Sequence, residues 1–249
     1  MKKGHELLIV IPAYNEAKNL PLVFEGMREN QIDSIADILI IDDASTDSTS
    51  EIAKQNGAVC ISHICNLGYG NALQTGYKYA NENGYRFLIQ IDADTQHDPC
   101  NIPIIYNALK TPSDNGVLPD IVLGSRNMKG SGEYHSGFMK KIAFAWLGTL
   151  FSLFGGGKLA DPTTGLQGLS KAAFSHYARF DNFDAKYPDA NMILEMKLLG
   201  FNILQVPAIM HTRKSGTSMH AGIWKPAKYM IRSTIALIVA KMRGWANKK

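Results

Sequence analysis

Two carboxylates, Asp92 and Asp94, emerge where a short apolar run, residues 87–91, comes to an end, and Gln96, His97 and Asp98 follow. The run is long enough for a buried strand. Two negative charges at the end of such a strand are costly unless a positive charge lies between them. A divalent cation meets that need. Hard oxygen ligands favour Mg2+ or Mn2+, ions that keep waters or substrate phosphate oxygens in their shell. The stretch therefore reads as a metal–diphosphate site at the carboxyl edge of a parallel sheet. Taken alone, Asp-x-Asp serves equally well as an acidic turn that caps a helix.

The elements that must position these residues follow a regular order. Residues 7–11, LLIVI, form a continuous apolar run of the buried parallel type, broken by the turn Pro12-Ala13-Tyr14-Asn15-Glu16. Leu20, Val23, Phe24 and Met27 then lie on one face of a helix over 19–30. A second strand, 38–41, ends in the polar turn 42–49, whose serines and aspartates are natural caps for the helix that follows. Residues 59–61 form a third strand. The glycine-bearing turn 66–72 enters a helix to about Tyr79, and 87–91 is the fourth strand. Strand, polar turn and helix in repetition predict an α/β fold with a parallel sheet. Ligands of such sheets bind beyond the carboxyl ends of the strands, where all three acidic turns would meet. Further along are a short strand at 121–123 ending in Gly124-Ser125-Arg126, and a glycine-rich segment over 128–137 that reads as mobile. An apolar helix over 138–154, the turn Asp161-Pro162-Thr163-Thr164-Gly165, an amphipathic helix over 189–199 and a strand at 203–206 complete the series.

The totals agree with an enzyme-sized unit. The chain has 249 residues, 45% of them apolar, enough for a substantial core. No signal peptide is expected after Met1-Lys2-Lys3, and no apolar run reaches the ~20 residues of a membrane span. Cys60, Cys65 and Cys100 form no pairwise framework and no zinc spacing, which points to a reducing cytoplasm. The net charge of +4 conceals an asymmetry: the last 54 residues contain ten lysines and arginines and no carboxylate, so the first 195 sum to −6. An acidic body with a basic tail points to an anionic surface or substrate. Nucleic acid is disfavoured, because the basic residues alternate with aliphatic ones rather than with stacking aromatics.

Taken in order, PAYNE, IDDAS, NLGYGNA, DADTQHDP, GSR, DPTTG and RKSGTS resemble family-two glycosyltransferases of the glycosyltransferase A fold, from about Leu7 to about His220. Within that family the chain is most similar to polyprenyl-phosphate sugar synthases of the dolichyl-phosphate mannose synthase type. The resemblance implies a mostly parallel central sheet flanked by helices, with a catalytic domain over 1–220; residues 221–249 read from their own periodicity as a C-terminal amphipathic helix. It implies an inverting, metal-dependent transfer of a hexose from a UDP- or GDP-sugar to a polyprenyl phosphate. By the same resemblance, Pro12, Tyr14, Glu16, Ile41, Asp43, Asp92 and Ala93 line the nucleotide pocket, and Asp92, Asp94 and Gln96 hold Mg2+ or Mn2+. Arg126, Arg213 and Ser215 face phosphate or acceptor, and Asp94 and Arg126 are catalytic, with Asp189 added as a base on chemical grounds. His63 and His97 read as structural rather than as ligands.

Three positions depart from the family. Tyr69 stands where the glycine turn often has lysine, and Met219 stands where a lysine follows the late Gly-x-Ser, with His220 beside it. Asn191 stands where a glutamate opens the late helix. The last departure matters because a sugar hydroxyl acceptor, unlike an ionised phosphate, needs a base. Asp189 is the candidate, with Asp161 second; Asp189 as a helix cap is the equal alternative. A lipid-linked or cell-surface polysaccharide acceptor, and a non-catalytic nucleotide-sugar-binding subunit of a membrane complex, are the competing functions. In the tail, Ile231, Ile235, Ile238, Met242 and Trp245 share one helical stripe, with Lys225, Lys228, Arg232 and Arg243 on one margin and Lys241 and Lys248 on the other. That pattern describes a helix lying in an anionic membrane interface, or one docked on the catalytic domain. The expected location is peripheral, at the cytoplasmic face of the cell membrane, with a second copy or a membrane partner left open as a further contact.

Overall fold

The run Leu7–Ala13 forms β1, and all seven of its residues are buried, as befits a central strand covered on both faces. The computed structural model describes residues 4–113, 116–132, 138–186, 188–211 and 224–246. β1 lies between β2 (Ala36–Asp42) and β4 (Phe87–Gln90), parallel to both. β3 (Val59–Ser62) extends the sheet beyond β2. On the other side come β6 (Gln167–Ser170), β5 (Ile121–Ser125) and β7 (Ile203–Pro207), giving the order β3-β2-β1-β4-β6-β5-β7. β6 runs antiparallel to both neighbours; the rest of the sheet is parallel.

Alternation along the strands sorts the core into two layers. Leu7, Ile9, Ile11, Ile40 and Ile89 face α1 (Leu20–Glu29), α2 (Thr49–Gln55) and α4 (Asn101–Lys110). Leu8, Val10, Leu39, Ile41 and Leu88 face α3 (Tyr69–Glu82), α6 (Lys171–Tyr177) and α7 (Ala190–Leu198). Two glycines set the closest approaches: a Cβ at Gly76 of α3 would collide with Val10, and one at Gly168 of β6 would collide with Ile105 of α4. The chain moves outward from β1 through β2 to β3, then returns through α3 to β4 on the opposite flank of β1. The order of strands therefore reverses between β1 and β4, and it is beyond the carboxyl ends at such a switch point that α/β sheets carry their ligand crevice.

The expected elements are present, and β6, α4 and α6 join them. The helix over 189–199 is not amphipathic: all residues from Ala190 to Met196 are buried, because the sheet covers one side and α8 (Trp224–Ala246) the other. α8 inserts Ser233, Leu237 and Ala240, all buried. Lys241 Nζ donates to the Phe154 carbonyl at 2.8 Å, just past α5 (Phe138–Phe151), and Trp146 Nε1 of α5 donates to Thr234 Oγ1 at 3.2 Å. Residues 133–137 of the glycine-rich segment lie outside the described residues. Among the described residues no helix is long and apolar enough to cross a membrane.

One charge is enclosed where α7 meets α8. Glu195 is 5% exposed, with Arg243 Nη1 3.9 Å from its Oε2. Burial raises its pKa above the usual carboxylate value, and Arg243 offsets only part of this. A raised folded pKa stabilises the fold below the unfolded pKa, and that stability is lost as pH rises through the folded value. Glu195→Gln is therefore expected to raise Tm by about 2–4 °C at neutral pH, a gain that vanishes below the ordinary carboxylate pKa. Thermal melts across pH check both the sign and the window.

Candidate active site

The first two polar turns hold each other. Asn15 and Ala44 take left-handed backbone conformations, φ 55° and 62°, at the ends of β1 and β2. Asparagine tolerates this conformation well; alanine does not, so the second turn stores strain. Three successive N–H groups of the first turn donate to side chains of the second: Asn15 to Ser45 Oγ (2.9 Å), Glu16 to Thr49 Oγ1 (2.9 Å) and Ala17 to Asp47 Oδ2 (3.2 Å). In return Thr46 N–H donates to Asn15 Oδ1 at 2.8 Å. Much of PAYNE and IDDASTD is thus a clasp. Above it Tyr14 is 47% exposed at the sheet edge, while Pro12 and Ile41 are buried within their strands, beneath that edge.

Asp43 is buried and ties down the next loop. Its carboxylate accepts the N–H groups of Leu67 and Gly68, each at 2.8 Å, and lies 2.7 Å from His63 Nδ1. The His63 Nε2 is 3.0 Å from Thr75 Oγ1 on α3. This anchors the start of α3 against β2 and brings Tyr69 over the end of β4.

Asp92 is the centre of the third turn. Tyr69 O–H donates to its Oδ1 at 2.9 Å, and His97 Nε2 lies 3.7 Å from Oδ2. The Asp92 N–H donates to His97 Nδ1 at 3.0 Å. Burial of the Tyr69 hydroxyl, and then the Asp92 charge, push its pKa well above the usual phenol value, and the Asp189 charge adds to this. Gly165 closes over the group: a Cβ there would stand 3.3 Å from Asp92 Oδ2 and 3.4 Å from the Tyr69 oxygen. Its carbonyl is held by Gln90 Nε2 at 2.9 Å, and Gln90 in turn is bonded by Tyr77. Ala93 is buried, and Asp94 Oδ1 accepts Gln96 N–H at 3.1 Å. Between them Thr95 has φ 66°, rare for a β-branched residue, and its Oγ1 is buried with no hydrogen-bond partner among the described residues. Strain and an orphaned hydroxyl in one turn are the mark of a site shaped for a ligand.

The remaining predicted residues divide. Arg126 forms a two-armed pair with Asp161, Nε to Oδ2 at 2.6 Å and Nη2 to Oδ1 at 3.0 Å. Asp161 is 2% exposed and serves as the counter-ion of Arg126. Asp189 is half-buried and caps α7 through Ala190 N–H at 3.0 Å. Its loop packs on α3: a Cβ at Gly70 would meet the Ala185 carbonyl oxygen at 2.5 Å. Arg213, Ser215, Met219 and His220 lie outside the described residues. Sequence reasoning missed Tyr69, His97 and Gly165 as members of the group. The signal was the tyrosine itself, an unusual residue at the mouth of a glycine turn.

Among the described residues no three His, Cys, Asp or Glu side chains form a metal cage. Mg2+ and Mn2+ do not need one when substrate phosphates complete the shell; one or two carboxylates suffice. Asp92, Asp94 and Gln96 offer hard oxygens on a single turn, and the unpartnered Thr95 hydroxyl lies within it. The donor set fits such an ion.

Comparisons with known proteins agree with this architecture. The family model described as Glycosyl transferase family 2 matches residues 8–177. The chain is 30% identical over 224 residues to an undecaprenyl-phosphate mannosyltransferase of Micrococcus luteus, covering 87% of this chain and 88% of that one. It is 26% identical over 243 residues to a polyprenol monophosphomannose synthase of Mycolicibacterium smegmatis, covering 92% and 88%. Among solved structures it is similar to glucosyl-3-phosphoglycerate synthase of Mycobacterium tuberculosis in complex with Mn2+ and uridine-diphosphate-glucose. The TM-score is 0.67 at 19% identity, over 96% of this chain and 79% of that one, a likeness of fold. With the sheet order, the acidic turns and these matches in agreement, the chain belongs to glycosyltransferase family 2 and has the glycosyltransferase A fold.

Proposed function

We propose that the chain moves a hexose from a nucleotide sugar onto a polyprenyl phosphate, with a divalent cation and with inversion at the anomeric carbon, at the cytoplasmic face of a membrane. The observation that carries this reading is the strained turn of Asp92, Asp94 and Gln96 at the β1–β4 crevice, beside the exposed Tyr14. The acceptor is supported by relatives named for transfer to undecaprenyl phosphate and polyprenol phosphate. The metal is supported by the Mn2+ and UDP in the structure of the mycobacterial synthase.

In this reading Tyr14, Glu16 and the clasped turns receive the nucleotide, with Pro12 and Ile41 beneath them. Asp43 acts by fixing the wall at 63–68. Asp92, Asp94 and Gln96 hold the cation, which when bound draws charge from the leaving diphosphate. Arg126, oriented by Asp161, supplies a fixed positive charge for phosphate. Arg213 and Ser215 are assigned to the lipid phosphate by resemblance. A phosphate acceptor is ionised at neutral pH, so it attacks the anomeric carbon without a base while the bond to the diphosphate breaks on the opposite face. Asp189 then works as the cap of α7. A saccharide acceptor is the second reading, favoured by the loop that leads to Asp189, which packs on Gly70 beside Tyr69.

Membrane contact falls to α8. Ile231, Ile235, Ile238 and Met242 are 44–65% exposed, while the opposite face is docked. Lys241 and Arg243 turn toward the body, so the basic margins are thinner than the sequence implied. Trp245, Lys225 and Lys228 lie outside the residues whose side chains are described.

Labelled nucleotide sugars offered with polyprenyl phosphate, or with a saccharide-lipid, test the acceptor; label on the saccharide-lipid alone would sink the first reading. Asp94→Asn is expected to lower kcat/KM by roughly a hundredfold or more. Asp189→Asn is expected to leave kcat within about fivefold for a phosphate acceptor, against a loss of about a hundredfold or more if it is a base. Ile235→Glu with Ile238→Glu is expected to weaken binding to anionic vesicles by about tenfold or more, with nucleotide binding unchanged. Vesicle co-sedimentation checks this.

A further inference from the structure

Asp92 and Asp94 are held differently. Asp94 is oriented by an N–H of its own turn. The oriented side-chain donor to Asp92 comes from another element, Tyr69 at the first turn of α3, at 2.9 Å. On its other oxygen, His97 accepts the Asp92 N–H through Nδ1, which leaves the ring proton on Nε2, facing Oδ2. Gly165 packs close to that carboxylate: a Cβ there would stand 3.3 Å from Oδ2. We propose that Tyr69 is a positioning residue: its hydroxyl sets the rotamer of Asp92 for the metal–nucleotide complex and joins that carboxylate to the loop of Asp189. The second half follows from packing, since Gly70, next in the chain, lies directly under the Ala185 carbonyl. A lysine at this position would face the crevice as a mobile charge, whereas tyrosine gives a fixed O–H with a rigid ring. The inference rests on the reading of Asp92 as a metal–nucleotide carboxylate.

Tyr69→Phe removes one oxygen and keeps the ring, so the fold is expected to persist, with Tm within about 3 °C. Binding of Mn2+ with UDP, and in parallel with GDP, is followed by the electron paramagnetic resonance signal of free Mn2+. The full chain is compared with Tyr69→Phe, Asp92→Ala and the double variant. Tyr69→Phe alone is expected to weaken binding about tenfold, since a donor to a charged group is lost. In the Asp92→Ala background the same change is expected to cost less than about twofold. A purely structural role would cost the same in both backgrounds, and that result overturns the inference. So does full binding by Tyr69→Phe when Asp92→Ala is impaired, which leaves the reading of Asp92 standing. Unchanged binding by Asp92→Ala overturns that reading together with the inference.

Discussion

A carboxylate taken from water into a sheet edge loses several kcal/mol of hydration unless oriented donors replace it. In this protein those donors come from other segments of the chain. Asp43 is met by the loop at 63–68, Asp47 by Ala17, Asp92 by Tyr69, and Asp161 by Arg126. Asp98 is met by His211, 2.7 Å away, and by Cys100 N–H; despite the cost of burial these bonds hold its pKa below the usual carboxylate value. Each acid therefore cross-links two pieces of the crevice. The residues that give the site its negative character also give it its shape, and removing one acts on both.

This double duty explains what was legible in the sequence. β1, β2 and β4 are buried on both faces, so they read as unbroken apolar runs, and the turns after them could be placed at one edge. β6 is four residues, Gln-Gly-Leu-Ser, with a glycine required by the passage of α4; nothing in that composition announces a strand. The acidic turns were legible as an ordered set. Their partners were not, because spacing along the chain carries no record of which donor meets which oxygen. Asp161 and Arg126 are 35 residues apart, and as isolated letters they read as a base and a phosphate ligand. The structure joins them into one ion pair, so the guanidinium is aimed and the carboxylate is occupied.

The late helices show the same limit from the other side. The apolar period of α8 was plain, yet a period cannot tell one buried face from two apolar faces. Ser233, Leu237 and Ala240 face inward, and the stripe from Ile231 to Met242 faces out. α7, buried between the sheet and α8, is the element that begins at Asp189. The exposed stripe, the buried helix beneath it and the carboxylate at that helix's start are thus three successive layers of one packing unit. In the proposed reading, a lipid acceptor approaching the stripe side reaches the crevice past Asp189, and Gly70, next to the Tyr69 that holds Asp92, packs under the loop leading to Asp189. The chemistry of transfer then depends on a chain of contacts that starts at the surface helix: α8 fixes α7, α7 fixes the loop over Gly70, and α3 presents the hydroxyl that holds the carboxylate at the end of β4.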